Sequence, residues 1–269
     1  MNHVVPKNPT PSTAGQSEQQ QPAGRYRFRI RFAKVELLRW ISHRDLARLW
    51  ERMIRRANFP LSMTEGFHPK PRISFPSALS LGMESLDEVV ELEFTQDLDE
   101  SDVLQRLCDD RQPGLSIDRV TRMPEGSAKA QLERAHYHIH SPAFDGDGNS
   151  IEIVCEDEIH SAIETLAKTE IIEVARKKKT IKFDRSSEVI RFEATPNGIE
   201  MELAAGAGAS LKPSDVLVAA GLGHWNDAAV RIVRTRCELQ NDEQTENRTH
   251  PSASTNGQVT ADRQSGPTP

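Results

Sequence analysis

Arg25–Phe32, RYRFRIRF, alternates without a break: Tyr26, Phe28, Ile30 and Phe32 fall on one face and four arginines on the other. Strict period-two alternation is the signature of a strand with one face against a core. The next apolar pattern has a different period. Ser42 precedes a stretch to about Asn58 in which Leu46, Leu49, Trp50, Met53, Ile54 and Ala57 recur at helical spacing, and Ser42 with Asp45 forms a variant of the capping box. A second alternating run, DEVVELEF (87–94), an acidic-started helix from about Asp99 to Asp110, and LSIDRVTRM (115–123) complete a set. With one more strand near Leu61–Thr64 or Arg72–Phe75, the order is βαββαβ.

The order then repeats. AHYHIH (135–140) reads as a strand, Glu156–Lys168 as a helix, and Ile171–Val174 as the start of another strand. EVIRFEAT (188–195) and GIEMELAA (198–205) flank Pro-Asn-Gly turn residues as a hairpin, a helix opens at Pro213 and runs to about Ala220, and AAVRIVRTRCEL (228–239) is the last strand. The expected class is α+β, with two ferredoxin-like halves over 25–124 and 134–238. Residues 1–24 and 240–269 are rich in Gln, Ser, Thr, Pro, Asn and Gly and read as disordered tails.

Composition narrows the classes. Cys108, Cys155 and Cys237 form neither a CxxC pair nor an even set, which argues against a zinc ribbon, an iron–sulfur cluster or a disulfide scaffold. No run of 18 apolar residues and no apolar leader is present, so the expected location is cytoplasmic, with no membrane partner. The glycines of AAGAGAS (204–210) and of Gly221–Gly223 fit neither phosphate-binding pattern and read as connectors.

The net charge is −6, yet Arg25–Pro76 holds thirteen Lys and Arg against four Asp and Glu, a local excess of nine positive charges. Cross-strand pairing with Glu91 and Glu93 is expected to neutralise Arg27, Arg29 and Arg31 on an open sheet face. Arg44, Arg48, Arg52, Arg55 and Arg56 lie on one side of the first helix, opposite its apolar stripe. That face is either a solvated surface or a phosphate-tracking stripe.

In TEGFHPKPRISFPSALSLG (64–82), Pro69, Pro71 and Pro76 limit φ and remove donors, so the segment resists regular structure. It either displays Phe67, His68, Lys70 and Arg72 for base stacking and phosphate contact or plugs Phe67 and Phe75 into the core. Plugging is the expectation for Phe75. His43 at the helix start is an acid–base candidate if His68 lies close, and otherwise inert. His136, His138 and His140 share a strand face, but all three cannot reach one ion, so no metal site is expected. No cofactor is expected either.

The stretch WISHRDLARLWERMIRRANFPLSMTEGFHPKPRISFPSALSLGMES (40–85) resembles the radical-SAM-linked protein family, a radical-SAM-associated domain of unknown function. The matching positions include Ser42, His43, Asp45, Glu65, Gly66, Phe67, Pro69 and Pro71; LKPSDVLVAAGL (211–222) and VRIVRTRCEL (230–239) are similar to its closing segments. The RKKKTIKFD stretch (176–184) matches only loosely. The resemblance implies a stand-alone accessory module that binds substrate for a radical-SAM enzyme. The chain lacks the CxxxCxxC of that catalyst. With the basic features, the expected ligand is RNA, either tRNA or rRNA, for modification. Two alternatives stay open: metal-independent RNA cleavage by His43 and His68, since the paired halves resemble CRISPR repeat-processing endoribonucleases in outline, and a protein-only adaptor.

Overall fold

The computed structural model describes residues 24–142, 156–177, 179–205, 210–227 and 230–240. The two tails expected from composition, Cys155 and the glycines of the 204–210 loop lie outside the described residues, apart from Gly24 and Gln240. The protein is α+β, built on a large, mostly antiparallel sheet. No described helix is long and apolar enough to cross a membrane.

The first half runs β1 (Tyr26–Lys34), a short 3-10 turn (Glu36–Trp40), α1 (His43–Arg56), β2 (Ile73–Ser74), β3 (Glu84–Phe94), α2 (Glu100–Asp109) and β4 (Leu115–Arg122). The second half runs β5 (Leu132–His140), α3 (Glu156–Lys168), β6 (Ile171–Arg176), β7 (Lys179–Asp184), α4 (Arg185–Glu188), β8 (Val189–Thr195), β9 (Gly198–Ala204), α5 (Pro213–Ala219), α6 (Gly223–Asp227) and β10 (Ile232–Leu239). The path through the sheet is β4-β1-β3-β10-β5-β9-β8, with β2 on β3. Expected and observed boundaries agree to within a few residues, with one relocation. β6 pairs with β7 in a separate two-stranded ribbon, so RKKKTIKFD is a hairpin arm and not part of the main sheet.

Each half packs its helices on one sheet face. Phe28, Ile30 and Phe32 of β1 and Val90, Leu92 and Phe94 of β3 meet Leu46, Leu49, Trp50, Met53 and Ile54 of α1. Each such fully buried side chain contributes roughly 1.5–3 kcal/mol. The second core gathers Ile139, Ile199, Met201, Leu203, Val216, Leu217 and Trp225, and it also takes in Leu79 and Met83 from the loop before β3.

The other face of β1 and β3 is not open. Arg29 is only 7% exposed, and Glu91, which it contacts at 3.0 Å, is 2% exposed. The chain between β4 and β5 crosses this face: the Ala130 N–H donates to Glu91 at 3.1 Å, and Arg27 donates to the Ser127 carbonyl. The strand arginines therefore pair with acids, but under cover.

The two halves join through β3 and β10, which run parallel and pair only at Glu84–Val233 and Ser85–Arg234. β2 pairs with β3 farther along, at Leu92 and Glu91. Around the seam sit charged groups, of which Glu84, Glu88 and Arg234 are buried and Arg231 is exposed. Glu84 takes both Nε and Nη2 of Arg231 (2.9 and 2.7 Å), Glu88 takes Arg234 at 2.8 Å, and Asp87 accepts the Cys237 N–H at 2.8 Å while holding Arg31 at 2.6 Å. Lys34, 2% exposed, lies in the same cluster; burial lowers its pKa, with Glu88 opposing and Arg234 reinforcing the shift. Burial likewise pushes the Cys237 thiol up to about 12.

Removing one partner of a buried pair leaves an uncompensated charge, which costs about 3–5 kcal/mol. Glu88→Gln is therefore expected to lower the unfolding free energy by about that much in urea titrations, and Glu88→Gln with Arg234→Met to recover part of the loss. A single-variant change below about 1 kcal/mol would show that the seam does not depend on this pair.

Candidate nucleic-acid interface

α1 begins with a built cap. The Asp45 N–H donates to the Ser42 hydroxyl at 3.2 Å, and that hydroxyl donates back to the Asp45 carboxylate at 2.7 Å. The hydroxyl's hydrogen bond is the main reason the Asp45 pKa is lowered. Ser42 and Asp45 of the motif thus start the helix. His43 is exposed and sets its ring edge-on to Phe75, with centroids 5.1 Å apart. His68 is exposed on the following hairpin, and no hydrogen bond or ring contact joins the two imidazoles among the described residues.

All five helix arginines are exposed, but they are not equivalent. Arg48 sits 3.3 Å from Asp45, and Arg56 meets Asp110, just past α2, at 2.7 Å. Arg44, Arg52 and Arg55 have no carboxylate partner among the described residues. Much of the local positive excess is cancelled by acids from beyond the segment. Arg39 approaches Glu84 at 3.7 Å and Arg72 approaches Glu93 at 3.8 Å. Within the segment, Arg25 pairs with Glu65 at 3.0 Å.

The proline-rich loop is two structures in series. Its front is a pinned hairpin: the Thr64 N–H donates to the Lys70 carbonyl (2.8 Å), the Lys70 N–H to the Thr64 hydroxyl (2.9 Å), and the Arg72 N–H to the Ser62 carbonyl (2.9 Å), with a bridge between Met63 and Pro71. The turn needs Gly66 for its φ of +119°, not for space, since a Cβ there would meet nothing within 4 Å. The Arg72 side chain donates to the Met63 carbonyl at 3.0 Å, so it stiffens the hairpin from within. Pro69 is exposed, and the Lys70 side chain has no partner among the described residues. Phe67 at the tip is 103% exposed. The loop's rear turns inward: Phe75 packs on the first core, as expected, and Leu79 and Met83 enter the second.

Sequence reasoning passed over three exposed apolar side chains, Leu37, Trp40 and Leu81. Arg39 stacks over the Trp40 ring at 4.8 Å, and a Cβ on Gly82 would come within 3.2 Å of that ring. Trp40 and Leu81 bracket α1 and the loop in sequence, and their apolar character so close to turn residues was the available signal.

Two of the β5 histidines face carboxylates. His138 bonds Glu200 at 3.0 Å; His136 lies 3.1 Å from Glu238, at an angle no hydrogen bond spans. Among the described residues no group of three or more His, Cys, Asp or Glu is placed to hold a metal ion. The His140 pKa is lowered by burial, then by His138 and Arg231, with Glu84 opposing. A base whose folded pKa lies below its unfolded value binds protons more readily when unfolded. Its contribution to stability is then lost as pH falls below 6.5 through the folded pKa. His140→Gln is expected to flatten the decline in thermal midpoint on acidification below pH 6.5, and an unchanged slope would remove His140 from that account.

Residues 27–213 match the model of a family described as "Uncharacterized protein conserved in bacteria" (DUF2344), and the chain belongs to that family. No curated protein matches the chain.

Proposed function

We propose that this chain is an RNA-binding accessory module that holds its substrate for a modifying enzyme. The observation that carries the reading is the fully exposed Phe67 on a hairpin pinned by backbone hydrogen bonds, with His68 and the unpaired Lys70 beside it. An aromatic ring gains nothing from exposure in the free protein, whereas any unstacked base offers it a π-face. Arg44, Arg52 and Arg55 add guanidinium groups that no acid among the described residues neutralises, and these suit phosphate oxygens. Ala57–Pro60 is all that separates α1 from the hairpin in sequence, and the Phe59 ring, stacked on Phe94 at 5.2 Å, anchors that link.

The strand orders β4-β1-β3-β2 and β10-β5-β9-β8 support reading each half as a ferredoxin-like unit, the second with the β6–β7 ribbon inserted. The resemblance of residues 40–85 to the radical-SAM-linked family supports a radical-SAM enzyme as the partner. The apolar surface of Leu37, Trp40 and Leu81 fits a protein contact better than it fits RNA.

Fluorescence anisotropy with bulk tRNA at low salt tests the reading. Phe67→Ala is expected to weaken binding about tenfold, as stacking is worth about 1–3 kcal/mol per base. Arg44→Glu, Arg52→Glu and Arg55→Glu together are expected to weaken it further and to reduce the slope of log affinity against log salt by about 2. Unchanged binding in both variants would sink the RNA reading. A partner polypeptide that still co-purifies after nuclease treatment, with no tRNA binding, would favour the adaptor.

A further inference from the structure

Where the two halves meet, a cavity of about 580 Å³ opens beside the β3–β10 seam. That volume is within the range of small-molecule sites, which favour interfaces between structural units. The rear of the proline-rich loop forms one wall, β5 and the end of β9 another, and the start of α5 a third. Met83, Leu203 and Leu211 supply apolar surface, and among the described residues no Asp or Glu lines the cavity.

The polar groups on the wall are biased toward donation. Arg234, 4% exposed, donates to the Ser77 hydroxyl at 3.0 Å and to the Tyr137 hydroxyl at 3.1 Å, while Glu88 holds its charge from behind. Each hydroxyl has one proton to give as well as lone pairs to receive with. With Arg234 donating to the oxygens of Ser77 and Tyr137, their protons remain free to donate elsewhere, and neither donates to a protein group among the described residues. The Tyr137 phenol also keeps its proton, because burial raises its pKa. The Arg234 Nε is a further donor, buried without a partner among the described residues. Lys212, an exposed residue that also lines the cavity, has no carboxylate partner among the described residues.

We infer that this cavity binds a small organic molecule that carries an oxyanion, a carboxylate or a phosphate monoester, on an apolar body. The oxyanion accepts from Ser77, Tyr137 and Lys212, and the body lies against Met83, Leu203 and Leu211. The site is separate from the hairpin tip and the α1 arginines and does not depend on RNA binding.

Competition against anilinonaphthalene sulfonate, an oxyanion on an apolar ring system, tests the inference with the full chain. Saturable probe binding is expected, with displacement by octanoate or octyl phosphate and none by octylamine. Whichever of the two anions displaces it at lower concentration identifies the preferred head group. Ser77→Ala with Tyr137→Phe is expected to weaken displacement by that anion at least tenfold. Lys212→Ala, at an exposed position, is expected to weaken it severalfold and keeps the test decisive if the double variant fails to fold. Arg44→Glu with Arg52→Glu and Arg55→Glu is expected to leave displacement unchanged. Octanol competing as well as octanoate, full anion affinity in the folded variants, or an absence of saturable probe binding would each overturn the proposal.

Discussion

The architecture depends on how one strand edge is divided. β3 offers a single free edge once β1 occupies the other, and that edge is shared: β2 takes Glu91 and Leu92, and β10 takes Glu84 and Ser85. β2 is short because the chain reaching it carries Pro69 and Pro71 and leaves through Pro76, and proline cannot donate to a ladder. A longer β2 would cover the part of β3 that β10 needs. The prolines thus do two jobs in one segment: they keep the hairpin out of the sheet, and they leave an edge for the second half.

Two paired residues specify register poorly, and a slip of one would turn every side chain to the wrong face. The seam is fixed instead by charge. Glu84 with Arg231, Glu88 with Arg234, and Asp87 with the Cys237 N–H all join β3 to β10 and its flank in this alignment. Removing such groups from water is costly, so their contribution lies mainly in making alternative alignments worse. The same cluster determines the character of the cavity, because Glu88 holds Arg234 in position to occupy the lone pairs of Ser77 and Tyr137. Leu79 and Met83 add an apolar tie, since a loop from the first half completes the core of the second.

Local elements were legible in the sequence because period and capping are local. The alternation of Arg25–Phe32 and the stripe from Leu46 to Ile54 gave β1 and α1 nearly residue for residue, and Ser42 was correctly read as a cap. Partnership across the chain was not legible. Nothing near Arg29 announces that the segment around Ala130 will cover it, or that Asp110 will reach Arg56. Counting charge along a segment therefore overstated the positive surface. The separate β6–β7 ribbon was hidden for the same reason: Ile172 and Val174 alternate as any sheet strand would, and only long-range pairing decides which sheet receives them. Phe67 was ambiguous between core and display, since an aromatic in a loop carries no sign of its burial.

The loop from Thr64 to Gly82 places a displayed ring and a cavity wall on one length of chain. Its front end is held to β3 through Ser62 and Arg72, which exchange backbone hydrogen bonds with Glu93, and its rear through Leu79 and Met83 in the other core. Anchors at both ends restrict independent motion of the segment between them, and the fixed φ of its prolines restricts it further. Exposure of the ring is thus a consequence of how the two halves are fastened: the chain needed to reach the second core is too proline-rich to lie down on the first.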